Sequence, residues 1–192
     1  KTFIEVLKYI KGSKFLNLKC LSVHIGSQIL DHRPYQKMIN VLDKLIRKID
    51  FNFEYIDLGG GMGIDYNKNN KKFNYKKYNQ IIKKFLKKHK TKIIFEPGRS
   101  IIGDTAILIS KIIYIKENPK KDFIIVDAAM NDFMRPALYG AKHKIIPLKR
   151  TNKIIKKSYD FVGPICETTD KFLTTNKFQK LNEKDYLIIC DV

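Results

Sequence analysis

Tryptophan is absent from the 192 residues, and cysteine, arginine and acidic residues are few. The three cysteines, Cys20, Cys166 and Cys190, are odd in number, far apart and contain no C-x-x-C pair. That argues against a disulfide framework and fits a reducing, cytoplasmic setting. No metal site is expected. No run of about 18 apolar residues occurs, so no membrane span is expected. Residues 1–10, KTFIEVLKYI, lack an initiator Met and the small-residue cleavage site of a signal peptide. They read as an amphipathic helix already under way, so the chain is expected to be a fragment.

Acidic residues number 19 against 38 Lys and Arg, a formal charge of +19. Only Arg33, Arg47, Arg99, Arg135 and Arg150 are arginines, and Lys is densest in residues 67–90, NKNNKKFNYKKYNQIIKKFLKKHK. A nucleic-acid site would add interleaved Arg and stacking aromatics aimed one way. No nucleic-acid partner is therefore expected, and the lysines are read as the solvated side of a helix.

With 44% apolar residues the chain can bury a real core. Residues 1–103 alternate strand and helix patterns. Apolar runs at 19–27, 54–63 and 92–100 each end in a turn. Between them, Tyr35, Met38, Ile39, Leu42, Leu45, Ile46 and Ile49 form one helical stripe, and Tyr75, Tyr78, Ile81, Ile82, Phe85 and Leu86 another. Continuous apolar strands separated by helices predict a parallel sheet covered on both faces. Residues 104–192 change texture: 107–117, 122–128, 143–149 and 185–192 read as strands with few helices between. The predicted architecture is an α/β part, 1–103, and a mostly β part, 104–192.

The chemistry-bearing residues lie at the C-terminal ends of the first three strands, where α/β folds bind ligands. His24 and Ser27 (HIGS) offer an imidazole and a hydroxyl; each also suits a structural or capping role. Gly59, Gly60 and Gly61 (DLGGGMG) would let backbone N–H groups converge on an anion, or simply allow a tight turn. They miss the dinucleotide pattern G-x-G-x-x-G, whose last position falls on Ile64. In IIFEPGRSII the apolar flanks Ile93, Ile94, Phe95, Ile101 and Ile102 suggest burial. Glu96 there needs a partner, since an unpaired buried carboxylate is costly. The partner is either Arg99 or a cationic ligand atom, with Arg99 then free for a carboxylate. Farther on, Arg135 and Tyr139 flank Pro136, which disfavours a helix interior and predicts a loop. Cys166 beside Glu167 in GPICETTD is either a proton donor next to a carboxylate or a small filler.

Taken in order, HIGSQI, DLGGGMGIDY, FEPGRSI, MNDFMRPALY and GPICETTD resemble the diaminopimelate decarboxylases, within the alanine-racemase-like, pyridoxal-phosphate-dependent decarboxylases. The likeness covers nearly the whole chain; Ala129 stands where that family has glycine. The resemblance implies the later part of a (β/α)₈ barrel followed by a β domain, and decarboxylation of meso-diaminopimelate to L-lysine. It implies that His24, Ser27, Gly60, Gly61, Glu96, Pro97, Gly98 and Arg99 contact pyridoxal 5'-phosphate, with Glu96 on the ring nitrogen. Arg99, Arg135 and Tyr139 would take substrate carboxylate, Cys166 would donate the proton, and Glu167 would recognise the distal amino group. A homodimer is implied, with Cys166 and Glu167 reaching the neighbouring subunit's site. The cofactor-anchoring lysine would precede Lys1 and an active-site tyrosine would follow Val192, so this segment alone is expected to be inactive. The alternatives are a related decarboxylase for ornithine, arginine or carboxynorspermidine, and a basic protein that binds the cofactor or nucleic acid without catalysis.

Overall fold

The structure, a computed structural model, describes residues 2–49, 51–67, 69 and 71–192. The chain divides into two units, Lys1–Ile101 and Ile102–Val192.

The first unit runs α1 (Thr2–Gly12), β1 (Cys20–Ser22), α2 (Arg33–Ile49), β2 (Tyr55–Asp57), α3 (Tyr75–Leu86) and β3 (Lys92–Ile94). A short helix, α4 (Arg99–Ile102), follows. The strands form a parallel sheet in the order β1-β2-β3, with Leu21, Ile56 and Ile93 in register. Helix α2 buries Tyr35, Met38, Ile39, Leu42 and Ile46, the expected stripe at helical spacing. Helix α3 is capped by Asn74, whose side chain accepts the Lys77 N–H at 2.9 Å, and buries Tyr78, Ile81, Ile82 and Phe85. Tyr75 and Leu86, at the ends of that stripe, are exposed instead. Ile56 and Leu58 are wholly buried, in one cluster with the apolar residues of α2 and α3 and with Phe53, Met62 and Phe73.

The flanks of IIFEPGRSII depart from expectation. Ile94, Phe95, Ile101 and Ile102 are exposed, and Glu96 with them; Ile93 packs against the core, and the Phe95 ring meets buried Tyr78 edge-on at 6.1 Å. Strand β3 is an edge of its three-stranded sheet, where the Lys92 ammonium lies 5.3 Å from the ring centre of Tyr55 in β2. Apolar sequence reports an affinity for burial, not the presence of a partner.

The second unit adds β4 (Ile107–Lys116), β5 (Lys121–Val126), α5 (Arg135–Tyr139), β6 (Ile145–Pro147), β7 (Ile154–Ile155), β8 (Ser158–Val162), β9 (Lys171–Thr175), β10 (Phe178–Gln179) and β11 (Tyr186–Cys190). Its mixed sheet has the order β6-β11-β4-β5-β8-β9, and β10 and β7 form a separate ribbon. All pairings in the main sheet are antiparallel except β5 with β8. Ile112, Ile124, Val126, Phe161, Leu187 and Ile189 fill its core. No described helix is long and apolar enough to cross a membrane, and the described residues hold no group of side chains fit to bind a metal.

The sheet buries the carboxylates of Asp122 and Asp160. Asp160 accepts a hydrogen bond from the Lys121 ammonium at 2.7 Å and one from the Thr174 hydroxyl. Burial opposes its ionisation, but Lys121 and Thr174 outweigh that and hold the carboxyl below its ordinary 3.8. A carboxyl lowered on folding contributes stability above the unfolded value, lost as pH falls through the lowered value. Asp160→Asn is therefore expected to cost about 1–3 kcal/mol near neutrality. Urea titrations should show the gap to wild type closing as pH drops below 3.8. A gap that stayed constant into acid would rule out the charge as its cause.

Candidate active site

Because β1, β2 and β3 are parallel and in register, their C-terminal ends emerge together, and three loops leave from one end. Backbone bonds knit these loops. Val23 N–H donates to Asp57 C=O and Leu58 N–H to Ile94 C=O, each at 3.0 Å. Glu96 N–H donates to Gly59 C=O at 3.0 Å, and Ile29 N–H to Gly61 C=O at 2.9 Å. The triglycine makes this closeness possible. A Cβ on Gly60 would stand 2.0 Å from the Glu96 carbonyl oxygen, and one on Gly61 2.2 Å from that of Gly26. Gly61 also has φ of 89°, in the left-handed region. Tyr35, wholly buried in α2, donates its hydroxyl to the Gly60 carbonyl at 2.8 Å; burial pushes its phenol up to about 12. The Asp57 carboxylate accepts the Gly59 N–H at 2.8 Å and the Ser22 hydroxyl at 3.1 Å.

His24, Ser27, Glu96 and Gly98 are exposed at this end, while Pro97 and Arg99 are half-buried. The sequence left open whether Glu96 pairs with Arg99. The guanidinium of Arg99 turns elsewhere: it donates to Gln28 Oε1 at 3.0 Å and lies 5.9 Å from the ring centre of Tyr66. The Glu96 carboxylate faces solvent, where it carries no burial penalty, so the argument for an obligatory partner falls away.

In the second unit, β5 and β8 run parallel side by side, so the loops after Val126 and Val162 also leave from one end. The first leads into α5. Arg135 and Tyr139 thus lie on a helix, not the predicted loop, because Pro136 occupies the first turn, where no N–H is required. Gly140 ends that helix in a left-handed conformation. Arg135 is half-buried and Tyr139 is 71% exposed. Near this helix, the His143 ring stands edge-on to Phe133 at 4.6 Å, with Nδ1 3.0 Å from the Cys190 carbonyl oxygen.

The second loop, 163–170, presents Cys166 and Glu167 to solvent. Glu167 Oε1 accepts the Thr169 N–H at 3.3 Å and the Thr168 hydroxyl at 3.1 Å, which hold its carboxyl below the ordinary value. Asp170, 2% exposed, closes the loop: its carboxylate accepts the Ile165 N–H at 2.9 Å and, from the neighbouring loop, the Met130 N–H at 2.7 Å. Sequence reasoning missed Tyr35, Gln28, Asp57 and Asp170. Asp57 and Asp170 stand inside the motifs already singled out, two residues before the first glycine of DLGGGMG and at the end of GPICETTD.

A parallel α/β unit with a polar, glycine-built strand end, joined to a mixed sheet that displays a thiol and a carboxylate, has the parts of a cofactor-dependent enzyme. The chain belongs to the pyridoxal-dependent decarboxylases, whose C-terminal sheet domain model matches residues 40–192. It is 40% identical over 188 residues to diaminopimelate decarboxylase of Aquifex aeolicus, covering 95% of this chain and 44% of that protein. With the Helicobacter pylori diaminopimelate decarboxylase it shares 37% identity over 193 residues, 98% of this chain and 47% of the relative. The solved Helicobacter pylori diaminopimelate decarboxylase complexed with L-lysine superposes with a TM-score of 0.87 at 36% identity, over 99% of this chain and 48% of that one. The chain thus spans just under half the length of these relatives.

The strand end of the first unit fits pyridoxal phosphate by the chemistry of its donors. The N–H groups of Gly60 and Gly61 meet no acceptor among the described residues, although Gly60 is buried. Free N–H groups in a glycine turn suit a phosphate, and an accessible carboxylate suits a protonated ring nitrogen.

Proposed function

We propose that these residues form the later part of a pyridoxal-phosphate-dependent decarboxylase that converts meso-diaminopimelate to L-lysine and carbon dioxide. The single observation that carries this reading is the knitting of three polar loops at one strand end by Gly60 and Gly61. The names of the relatives, and the lysine in the Helicobacter pylori structure, support the substrate. In this reading the first unit is a section of a (β/α)₈ barrel, with residues 1–103 belonging to it and 104–192 to the β domain.

The bound cofactor supplies an electron-accepting ring to the bond that breaks. Ser27, Gly60, Gly61 and the Pro97-Gly98 turn would hold its phosphate and ring, with His24 beside the ring. Glu96 would keep the ring nitrogen protonated. Arg99, Arg135 and Tyr139 bind and orient substrate carboxylate, for which a guanidinium is suited by its paired donors. Cys166 delivers a proton to the carbon that has lost carbon dioxide. Glu167, its carboxyl held low by the Thr169 N–H and Thr168 hydroxyl, remains an anion at neutral pH and receives the distal ammonium of the substrate. Cys166 and Glu167 act in the neighbouring subunit's site, so the active form is a homodimer.

The test is decarboxylation by the full-length protein of meso-diaminopimelate, ornithine, arginine and carboxynorspermidine. A kcat/KM for meso-diaminopimelate about 100-fold above the others is expected, because the others lack the second amino-acid end that this reading gives the site to bind. Preference for any of the other three would overturn the substrate assignment.

A further inference from the structure

We propose that Asp170 is a positioning residue, whose buried carboxylate ties the loop bearing Cys166 and Glu167 to the loop that leads into Arg135. The proposal rests on the roles given above to those three groups.

The geometry is that of a two-loop clamp. Oδ2 accepts the Ile165 N–H at 2.9 Å, and the Asp170 N–H donates to the Glu167 carbonyl at 3.0 Å. Gly163 N–H donates to the Asp170 carbonyl at 3.0 Å. Cys166 and Glu167 therefore sit between two tethers, at Ile165 and Asp170, made by one residue. Oδ1 reaches out of the loop to the Met130 N–H at 2.7 Å, five residues before Arg135. The Thr169 hydroxyl adds a weaker bridge to Met130 Sδ at 3.9 Å. Neither segment belongs to a strand, so sheet pairing alone does not fix their spacing. A carboxylate is the side chain for this task, since it offers two acceptor atoms and no donor, and both partners are backbone donors. The fit is tight as well: a Cβ on Gly163 would lie 2.2 Å from Oδ2 and 2.5 Å from Oδ1.

Two variants of the full-length protein disturb the clamp in different ways. Asp170→Asn keeps the shape but turns one acceptor into a donor facing an N–H. Gly163→Ala keeps the carboxylate and displaces it. In each, hydrogen–deuterium exchange is expected to quicken about 10-fold in both 127–134 and 163–170 and to stay unchanged in β4 and β11. With cofactor absorbance retained, kcat should fall about 10-fold or more while KM for meso-diaminopimelate rises severalfold. A mere loss of folded molecules would lower apparent kcat and leave KM alone. The proposal is overturned if both variants keep wild-type kcat and KM. It is equally overturned if only kcat falls, in step with the folded fraction, or if exchange quickens in one loop only. If the wild-type protein does not act on meso-diaminopimelate, the functional reading fails, and the exchange measurements still decide whether Asp170 couples the two loops.

Discussion

Replacing Gly60 by alanine is expected to unfold the strand end of the first unit and to abolish cofactor binding. The added methyl would lie 2.0 Å from the Glu96 carbonyl oxygen and 2.9 Å from its carbon, and both are backbone atoms. No side chain can swing aside, so the β2 and β3 loops must separate, breaking the Glu96 N–H to Gly59 bond. Overpacking a well-packed interior costs about 1–3 kcal/mol, and more when backbone must move. Gly12→Ala is the control: nothing lies within 4 Å of its built Cβ, and it sits in the last turn of α1. That change is expected to alter stability by less than about 1 kcal/mol. Urea midpoints and cofactor absorbance of the full-length variants provide the measurement. A Gly60→Ala protein with a wild-type midpoint and a full complement of cofactor would mean that the loops are not packed as described.

Cys166→Ala should lower kcat about 10²–10⁴-fold, the range for a positioned proton donor, and leave cofactor absorbance and folding intact. The thiol is exposed, so its loss leaves no core cavity and little stability is at stake. That separation makes the variant informative, because any large effect on turnover must come from chemistry. Single-turnover kinetics would show whether the lost step is proton delivery or an earlier one. Unchanged turnover would reduce Cys166 to a small residue that fills a loop.

The two long helices and seven of the strand runs were legible because their cores are written in apolar periodicity, as in the Tyr35–Ile46 stripe of α2. Strands β7, β8, β9 and β10 were not. Ile154–Ile155 and Phe178–Gln179 are two residues each, and Ser158–Val162 carries the buried Asp160 in its centre, where a polar residue hides a strand. Helix α5 reads as a loop in the sequence because Pro136 resembles a helix breaker, whereas in the fold it is a first-turn residue. At the candidate site, the reactive side chains were visible by type, but their supports were not. Tyr35 looks like one more core aromatic, and only the fold shows its hydroxyl on the Gly60 carbonyl. Asp170 closes a motif whose interest lay in Cys166 and Glu167, and its role needs Met130, 40 residues away in sequence.

The parallel pairing of β5 with β8 also sets an order of assembly. β4 with β5, and β8 with β9, are hairpins whose partners are near in sequence, and the second is closed by the loop carrying Cys166. Joining them along β5 and β8 must instead close residues 127–157, at an entropic cost on the order of 3 kcal/mol for a loop of that length. Local contacts form ahead of distant ones. The hairpin seam therefore follows the two hairpins, and it is the event that first sets Met130 beside Asp170. A nascent chain that has made its hairpins but not the seam holds Cys166 and Arg135 without a common frame. Readiness for chemistry waits on that seam.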